Sequence, residues 1–143
     1  MDLAILKSEG WVSCYMLNAD YTYEYVLAPE HDAAQVHWGG NWRMPTDQEL
    51  QGLIDNCDWT WVTVNGVNGY EVRGKAGYAS ASIFLPAAGV GVTTSLIFLN
   101  SGRYWSSDTD NTLSPLLAID GTGRHTTSGY RYSGYLVRPI QSE

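Results

Sequence analysis

The chain has 143 residues, 44% of them hydrophobic and only 16% charged, and carries a formal net charge of −7. Eight Lys and Arg scattered through an acidic chain are too few to neutralise a phosphate backbone, so no nucleic-acid partner is expected. No apolar run is long enough to cross a bilayer as a helix, so no membrane insertion is expected; the length suits one domain with one core and no metal or disulfide scaffold.

Six Trp and ten Tyr suit both tight cores and recognition surfaces, because rings with a polar edge bury much area while losing few rotamers. Cys14 and Cys57 permit one disulfide and form no Cys-x-x-Cys metal or redox pair. The opening residues, Met1 to Lys7, lack the basic start and apolar run of a secretion signal, which predicts export by another route or a domain cut from a longer chain.

Residues 3–28 alternate unevenly between apolar and polar, with strand-like pieces at 11–16 and 21–27 around Asn18-Ala19-Asp20, and read as a β-hairpin. Pro29-Glu30 then opens a polar and Ala-containing segment through Val36 that suits two helical turns. In Pro45-Thr46-Asp47-Gln48-Glu49 the Thr46 hydroxyl is placed to cap the Glu49 amide while the Glu49 carboxylate reaches back to the Thr46 amide. Leu50, Leu53, Ile54 and Cys57 follow at helical spacing, predicting a helix over 47–56 with Cys57 as a small buried thiol on its apolar face.

The period then switches to two. Trp59, Trp61 and Thr63 alternate with Thr60, Val62 and Val64 until Asn65-Gly66 marks a hairpin turn, and 70–73 returns. Residues 82–86 read as a short buried strand closed by proline, and 96–99 with 103–105 as a pair around Asn100-Ser101-Gly102. Gly89-Val90-Gly91 is too short and wrongly placed for a phosphate loop and is expected to be a connection. In 113–120, Leu113, Pro115, Leu117 and Ile119 share a core parity, and Ser114, Leu116, Ala118 and Asp120 share the other. Gly121-Thr122-Gly123 turns the chain towards a last strand over 129–140, carrying Tyr130, Tyr132 and Tyr135 with Val137 and Ile140 inward. Many short strands with two helices in the first half predict an α+β domain with antiparallel pairing.

Composition changes sharply near the C-terminus. Between Ser106 and Pro139 there is no Lys, Gln, Glu, Met or Trp, whereas residues 1–105 hold 19 of them. A β-rich Gly/Ser/Thr segment that happens to lack long polar side chains is one explanation.

A second explanation comes from four blocks: Trp38-Gly39-Gly40-Asn41-Trp42-Arg43-Met44-Pro45-Thr46, Ile83-Phe84-Leu85-Pro86-Ala87-Ala88-Gly89, Tyr104-Trp105-Ser106-Ser107 and Val137-Arg138-Pro139. In this order, and over roughly residues 29–140, they resemble the C-type-lectin-like domains of the Fibrobacter major paralogous type, abundant in Bacteroidetes and their phages. The first 28 residues carry no part of the resemblance. It implies a single α+β domain of C-type-lectin fold, two helices with a twisted antiparallel sheet, whose C-terminal strands and loops form the ligand face. Some members are variable proteins of diversity-generating retroelements, in which template adenines, usually in AAC codons, are randomised. Changing the two adenines of AAC never yields Lys, Gln, Glu, Met or Trp.

The resemblance therefore implies a non-catalytic ligand- or receptor-binding domain diversified over about 106–136, displayed on a phage virion or bacterial surface and meeting a protein or glycan on a cell surface. Leu117, Ile119, Arg131, Gly134, Val137, Arg138 and Pro139 look like framework. Ala118, His125, Thr127, Ser128, Tyr130 and Ser133 stand where similar chains often carry Asn or Tyr, and are candidate ligand-binding positions together with Asp108, Asp110, Thr112, Leu116, Tyr132 and Tyr135. Trp105, Leu117, Ile119 and Val137 should be buried, while Ala118, His125, Thr127, Tyr130 and Tyr132 should share an exposed face with the tyrosines as anchors. Arg124, Arg131 and Arg138 leave room for a patch that attracts acidic glycans. The alternative is a fixed carbohydrate- or matrix-binding adhesin module of the same fold.

Formylglycine-generating enzymes share the implied fold but depend on cysteines in the C-terminal half, and none follows Cys57. His31, His37 and His125 have no nucleophile-elbow or paired-cysteine context, so no catalysis and no cofactor is expected. The Glu-Pro-Asn, Gln-Pro-Asp and Trp-Asn-Asp motifs of calcium-dependent lectins do not occur. Asp108-Thr109-Asp110-Asn111 offers oxygen ligands but reads as a solvated acidic loop, and His31-Asp32 and His37 as helix-face residues, so no metal is expected.

Overall fold

The structure, a computed structural model, describes residues 11–12, 26–92, 95–109, 113–130 and 133–142. Cys14 and most of the hairpin expected over 3–28 lie outside them. The elements are β1 (Trp11–Val12), α1 (Ala33–Trp38), β2 (Trp42–Arg43), α2 (Asp47–Asn56), β3 (Cys57–Val64), β4 (Val67–Gly74), β5 (Ser82–Pro86), β6 (Val90–Val92), β7 (Ser95–Ile97), β8 (Ser101–Trp105), β9 (Leu113–Asp120), β10 (Gly123–Tyr130), β11 (Tyr135–Leu136) and β12 (Ile140–Gln141).

Both helices begin where a side chain captures free amides. Asp32 Oδ1 accepts from the Ala34 and Gln35 amides at 2.8 and 3.1 Å, so α1 starts at Ala33, later than Pro29 suggested. The same buried carboxylate accepts the Met44 amide at 2.9 Å, tying the start of α1 to the strand that follows it. Gly39 and Gly40, at φ +68° and +56°, end α1 in the left-handed region that favours glycine. In α2 the predicted capping box is present: Thr46 Oγ1 accepts the Glu49 amide at 3.2 Å and Glu49 Oε2 accepts the Thr46 amide at 2.8 Å. Leu50, Leu53, Ile54 and Cys57 pack into one apolar cluster, and Cys57 is a half-buried free thiol.

The strands divide among a five-stranded sheet, β1-β11-β8-β9-β10, a three-stranded sheet, β3-β4-β5, and two pairs, β12-β2 and β6-β7. Among the described residues, the named strands pair antiparallel except β11 with β8. Asn65-Gly66, at φ +50° and +80°, closes β3–β4 as the predicted hairpin turn.

Within the five-stranded sheet the register sets Tyr104 opposite Leu117 and Trp105 opposite Leu116. Adjacent residues of a strand point to opposite faces. Trp105 and Leu116 therefore enter one cluster, with Met44, Val90 and Tyr135, and Tyr104 and Leu117 enter the other, with Leu50, Tyr70, Val72, Leu85 and Ile119.

The expected α+β domain of C-type-lectin fold is not what the chain forms. Among the described residues 52% are strand and 17% helical, the strands lie in several small sheets, and no C-type-lectin fold is identified. The helices stay short, α1 ending at a pair of left-handed glycines and α2 at Cys57, where period-two alternation begins, and the strands that follow divide among separate small sheets. The four sequence blocks specify local pieces, such as the Trp42-Arg43 strand between two helices, and not an architecture.

Three local expectations are also corrected. Val90–Val92 is a strand, not a connection, and pairs with Ser95–Ile97, so the segment at 96–97 pairs with β6 and not with 103–105. The return from Gly121-Thr122-Gly123 begins at Gly123, not Gly129, and is already complete at Tyr130. Leu116 shares full burial with Leu117, because β9 is covered on both faces.

Two predictions concern the start of α2. Thr46→Ala removes one arm of the capping box and lowers stability by about 1 kcal/mol in urea unfolding. The hydrogen-bonded Arg43 guanidinium and the Thr46 amide hold the Glu49 carboxyl at about 2, below its ordinary 4.5. A carboxyl held low contributes stability that is present above its ordinary value and lost as pH falls towards the lowered one. The difference in melting temperature between wild type and Glu49→Gln should therefore be constant above about pH 5 and shrink between pH 4.5 and 2.

Candidate functional site

Strand β10 is the edge of the five-stranded sheet, and its eight residues pair one for one with β9, from Gly123–Asp120 to Tyr130–Leu113. Alternation sorts them into two sets. Gly123, His125, Thr127 and Gly129 lie on the side of Ala118 and Leu116; Arg124, Thr126, Ser128 and Tyr130 lie on the side of Ile119 and Leu117, where α2 packs. The expected single face is thereby corrected: Ala118, His125 and Thr127 share one face, while Tyr130 stands on the other. Tyr132 lies outside the described residues, as do Asp110 and Thr112.

The hairpin is fixed to the scaffold from both sides. On the α2 side, Thr126 Oγ1 donates to Gln51 Oε1 at 3.0 Å, and the Arg124 guanidinium sits 5.4 Å from the Trp59 ring centroid, a cation–π distance. At the turn, Asp120 Oδ1 accepts the Thr122 amide at 2.8 Å, and these Thr122 hydrogen bonds, side chain first, hold the Asp120 carboxyl below its ordinary value. The Tyr70 hydroxyl donates to the Asp120 carbonyl at 2.9 Å. On the opposite side, a Cβ at Gly129 would meet Leu116 Cδ2 and Tyr135 Cε2 at 2.7 Å, so glycine lets the Tyr135 ring lie over the strand. That ring is 6% exposed and lies 4.5 Å from Trp105.

Several expected ligand positions are thus structural. Leu116 and Tyr135 are buried core residues, not exposed contacts. Asp108 is half-buried and accepts the Asp47 amide at 2.5 Å, fastening the first turn of α2 where a negative charge is favoured. Burial, and secondarily the Asp108 charge, push the Asp47 carboxyl up. Ser133 is half-buried, its amide donating to the Tyr130 carbonyl at 3.0 Å. Of the residues expected inside, Trp105, Leu117 and Ile119 are buried, and Val137 is half-buried against the Trp105 cluster. Of the three arginines considered as one patch, Arg124 stacks on Trp59, Arg131 lies outside the described residues, and Arg138 lines a cavity beside Tyr104.

What remains open is the outer part of β10: His125, Thr127, Ser128 and Tyr130 are exposed, and Tyr130 is 56% so. The Ala118 face also contains Arg103, which is opposite Ala118 in the register as Ala118 is opposite His125. A small side chain thus lies between a guanidinium and an imidazole. Arg103 Nη1 donates to the Tyr135 hydroxyl at 3.4 Å, so its position is set by the core. Arg103 was missed from sequence because its place depends on the β8–β9 register; shared odd spacing with Trp105 was the available signal.

Chemically this surface supplies hydrogen bonds, one guanidinium, one imidazole and an aromatic ring on the opposite side. Among the described residues, no hydrogen bond joins His125 to a hydroxyl or thiol that it could activate, and no group of three His, Cys, Asp or Glu is placed to hold a metal ion.

Gly129→Ala should lower stability by about 1–3 kcal/mol by forcing Leu116 and Tyr135 apart, whereas Ser128→Ala should change it by less than about 0.5 kcal/mol; paired urea titrations check both. Comparison of the chain with protein-family models, with curated proteins and with solved structures finds no match.

Proposed function

We propose that this protein is a non-catalytic binding domain that presents a retroelement-diversified surface, centred on the exposed positions of β10, to a protein or glycan on a cell surface. The observation that carries the reading is a coincidence of composition and structure. The stretch without Lys, Gln, Glu, Met or Trp contains a hairpin in which β9 is packed on both faces while four of the eight residues of β10 face solvent. His, Thr, Ser and Tyr at those four places are all reachable by adenine changes in AAC. The resemblance of the four blocks to variable proteins of Bacteroidetes and their phages supports the same reading, and with it display on a virion or bacterial surface.

Recognition on this surface divides between two sides. His125 and Thr127, with Ala118 and Arg103, give hydrogen bonding and one fixed positive charge; Tyr130 gives a rigid amphipathic contact around the strand edge. A target seated on β10 touches both sides only by wrapping the edge.

The coding DNA tests the proposal most directly. A near-identical template repeat beside a reverse-transcriptase gene should differ from residues 106–136 only at adenines. A codon at His125, Thr127, Ser128 or Tyr130 that no adenine change in such a template produces defeats it. In binding assays, variants at His125 and Thr127 should change which target is captured while melting temperatures stay close to wild type. One sugar ligand shared by all such variants on a glycan array would instead indicate a fixed adhesin.

A further inference from the structure

A cavity of about 200 Å³ lies on the α2 side of the five-stranded sheet, opposite the face of Ala118, His125 and Thr127. Its wall is apolar: Leu50 and Leu53 from α2, Ile83 and Leu85 from β5, and Leu117 from β9. Three polar side chains reach it, Glu49, Tyr104 and Arg138, and two are already engaged. The Glu49 carboxylate is held by Arg43 through hydrogen bonds of 2.6 and 2.8 Å and by the Thr46 amide. The Tyr104 hydroxyl donates to the Pro86 carbonyl at 2.6 Å, and burial pushes its phenol up, with Arg138 acting weakly in the opposite direction. Arg138 is exposed and has no acceptor among the described residues.

We infer that this cavity binds a small amphiphile with a flat or short apolar body and a single carboxylate, the body against Leu50, Leu53, Leu85 and Leu117 and the carboxylate on the Arg138 guanidinium. The apolar wall gains by losing water. A guanidinium with a free fork matches a carboxylate with two hydrogen bonds. Neutralisation of Glu49 by Arg43 removes the nearest repulsion to an incoming anion. The volume is below the roughly 300–1,000 Å³ of sites for drug-sized molecules, which sets the size class. This site is independent of the β10 surface, and its proof or failure leaves the proposed function where it stands.

The test uses the full chain, 3-phenylpropionate as the probe and 3-phenylpropanol as its neutral counterpart, titrated by amide-resolved NMR. Phenylpropionate should shift Leu50, Leu53, Leu85 and Arg138 amides in a saturable way and bind at least about tenfold more tightly than the alcohol. Arg138→Gln should remove that advantage while leaving alcohol binding within twofold. Ile83→Phe should abolish binding of both, with circular dichroism and melting temperature showing each variant folded. The inference is overturned if wild type shows no saturable shift at these amides, or if Arg138→Gln leaves the preference for the acid intact.

Discussion

Two doublets, Tyr104-Trp105 in β8 and Leu116-Leu117 in β9, hold the two halves of this protein together. Their register sets Tyr104 beside Leu117 and Trp105 beside Leu116, so the pleat sends one large pair to each side of the sheet. One side gathers α1, the Met44 segment and Tyr135; the other gathers α2 and the three-stranded sheet. A slip of one residue in β8–β9 pairing would exchange the two sides and empty both.

Because β9 is packed on both faces, it has no outward side chain to vary near its centre, and the task of meeting solvent falls to β10. That edge strand is held by a few inward contacts: Arg124 on Trp59, Thr126 on Gln51, and Gly129 under Tyr135. The positions between them are free of packing. The helix that receives Thr126 is itself fastened at its start by Asp108, so the edge, the helix and Asp108 support one another.

Legibility from sequence followed the range of the interactions. The α2 start was readable because its capping box and its apolar spacing lie within twelve residues, from Thr46 to Cys57. The β3–β4 turn was readable because Asn65-Gly66 carries its own conformational preference. Burial of Leu116 was not, since a strand covered on both faces shows no alternation and is recognised only by what packs on it. The placement of Tyr130 has a simpler origin. A last strand beginning at Gly129 separates Tyr130 from His125 and Thr127, whereas one strand from Gly123 places odd and even residues on opposite sides. Asp108 looked like part of an acidic loop because its partner, the Asp47 amide, is 61 residues away. The β6–β7 pair was hidden by glycines that suggested a connection, and the fold class by blocks that specify only local pieces.

The separation of roles between β9 and β10 also governs how many altered copies of this protein would still fold. Leu116→Ala or Leu117→Ala, each in a fully buried place, costs about 2–5 kcal/mol, a large share of a typical total of about 5–15 kcal/mol. Replacements other than proline or glycine at His125, Thr127 and Ser128 cost less than about 0.5 kcal/mol each, and the first two sit across the sheet from the third, so coupling between them is weak. A population varied at those three codons without proline or glycine would remain almost entirely native, and selecting from it would rank affinity with little contamination from misfolding.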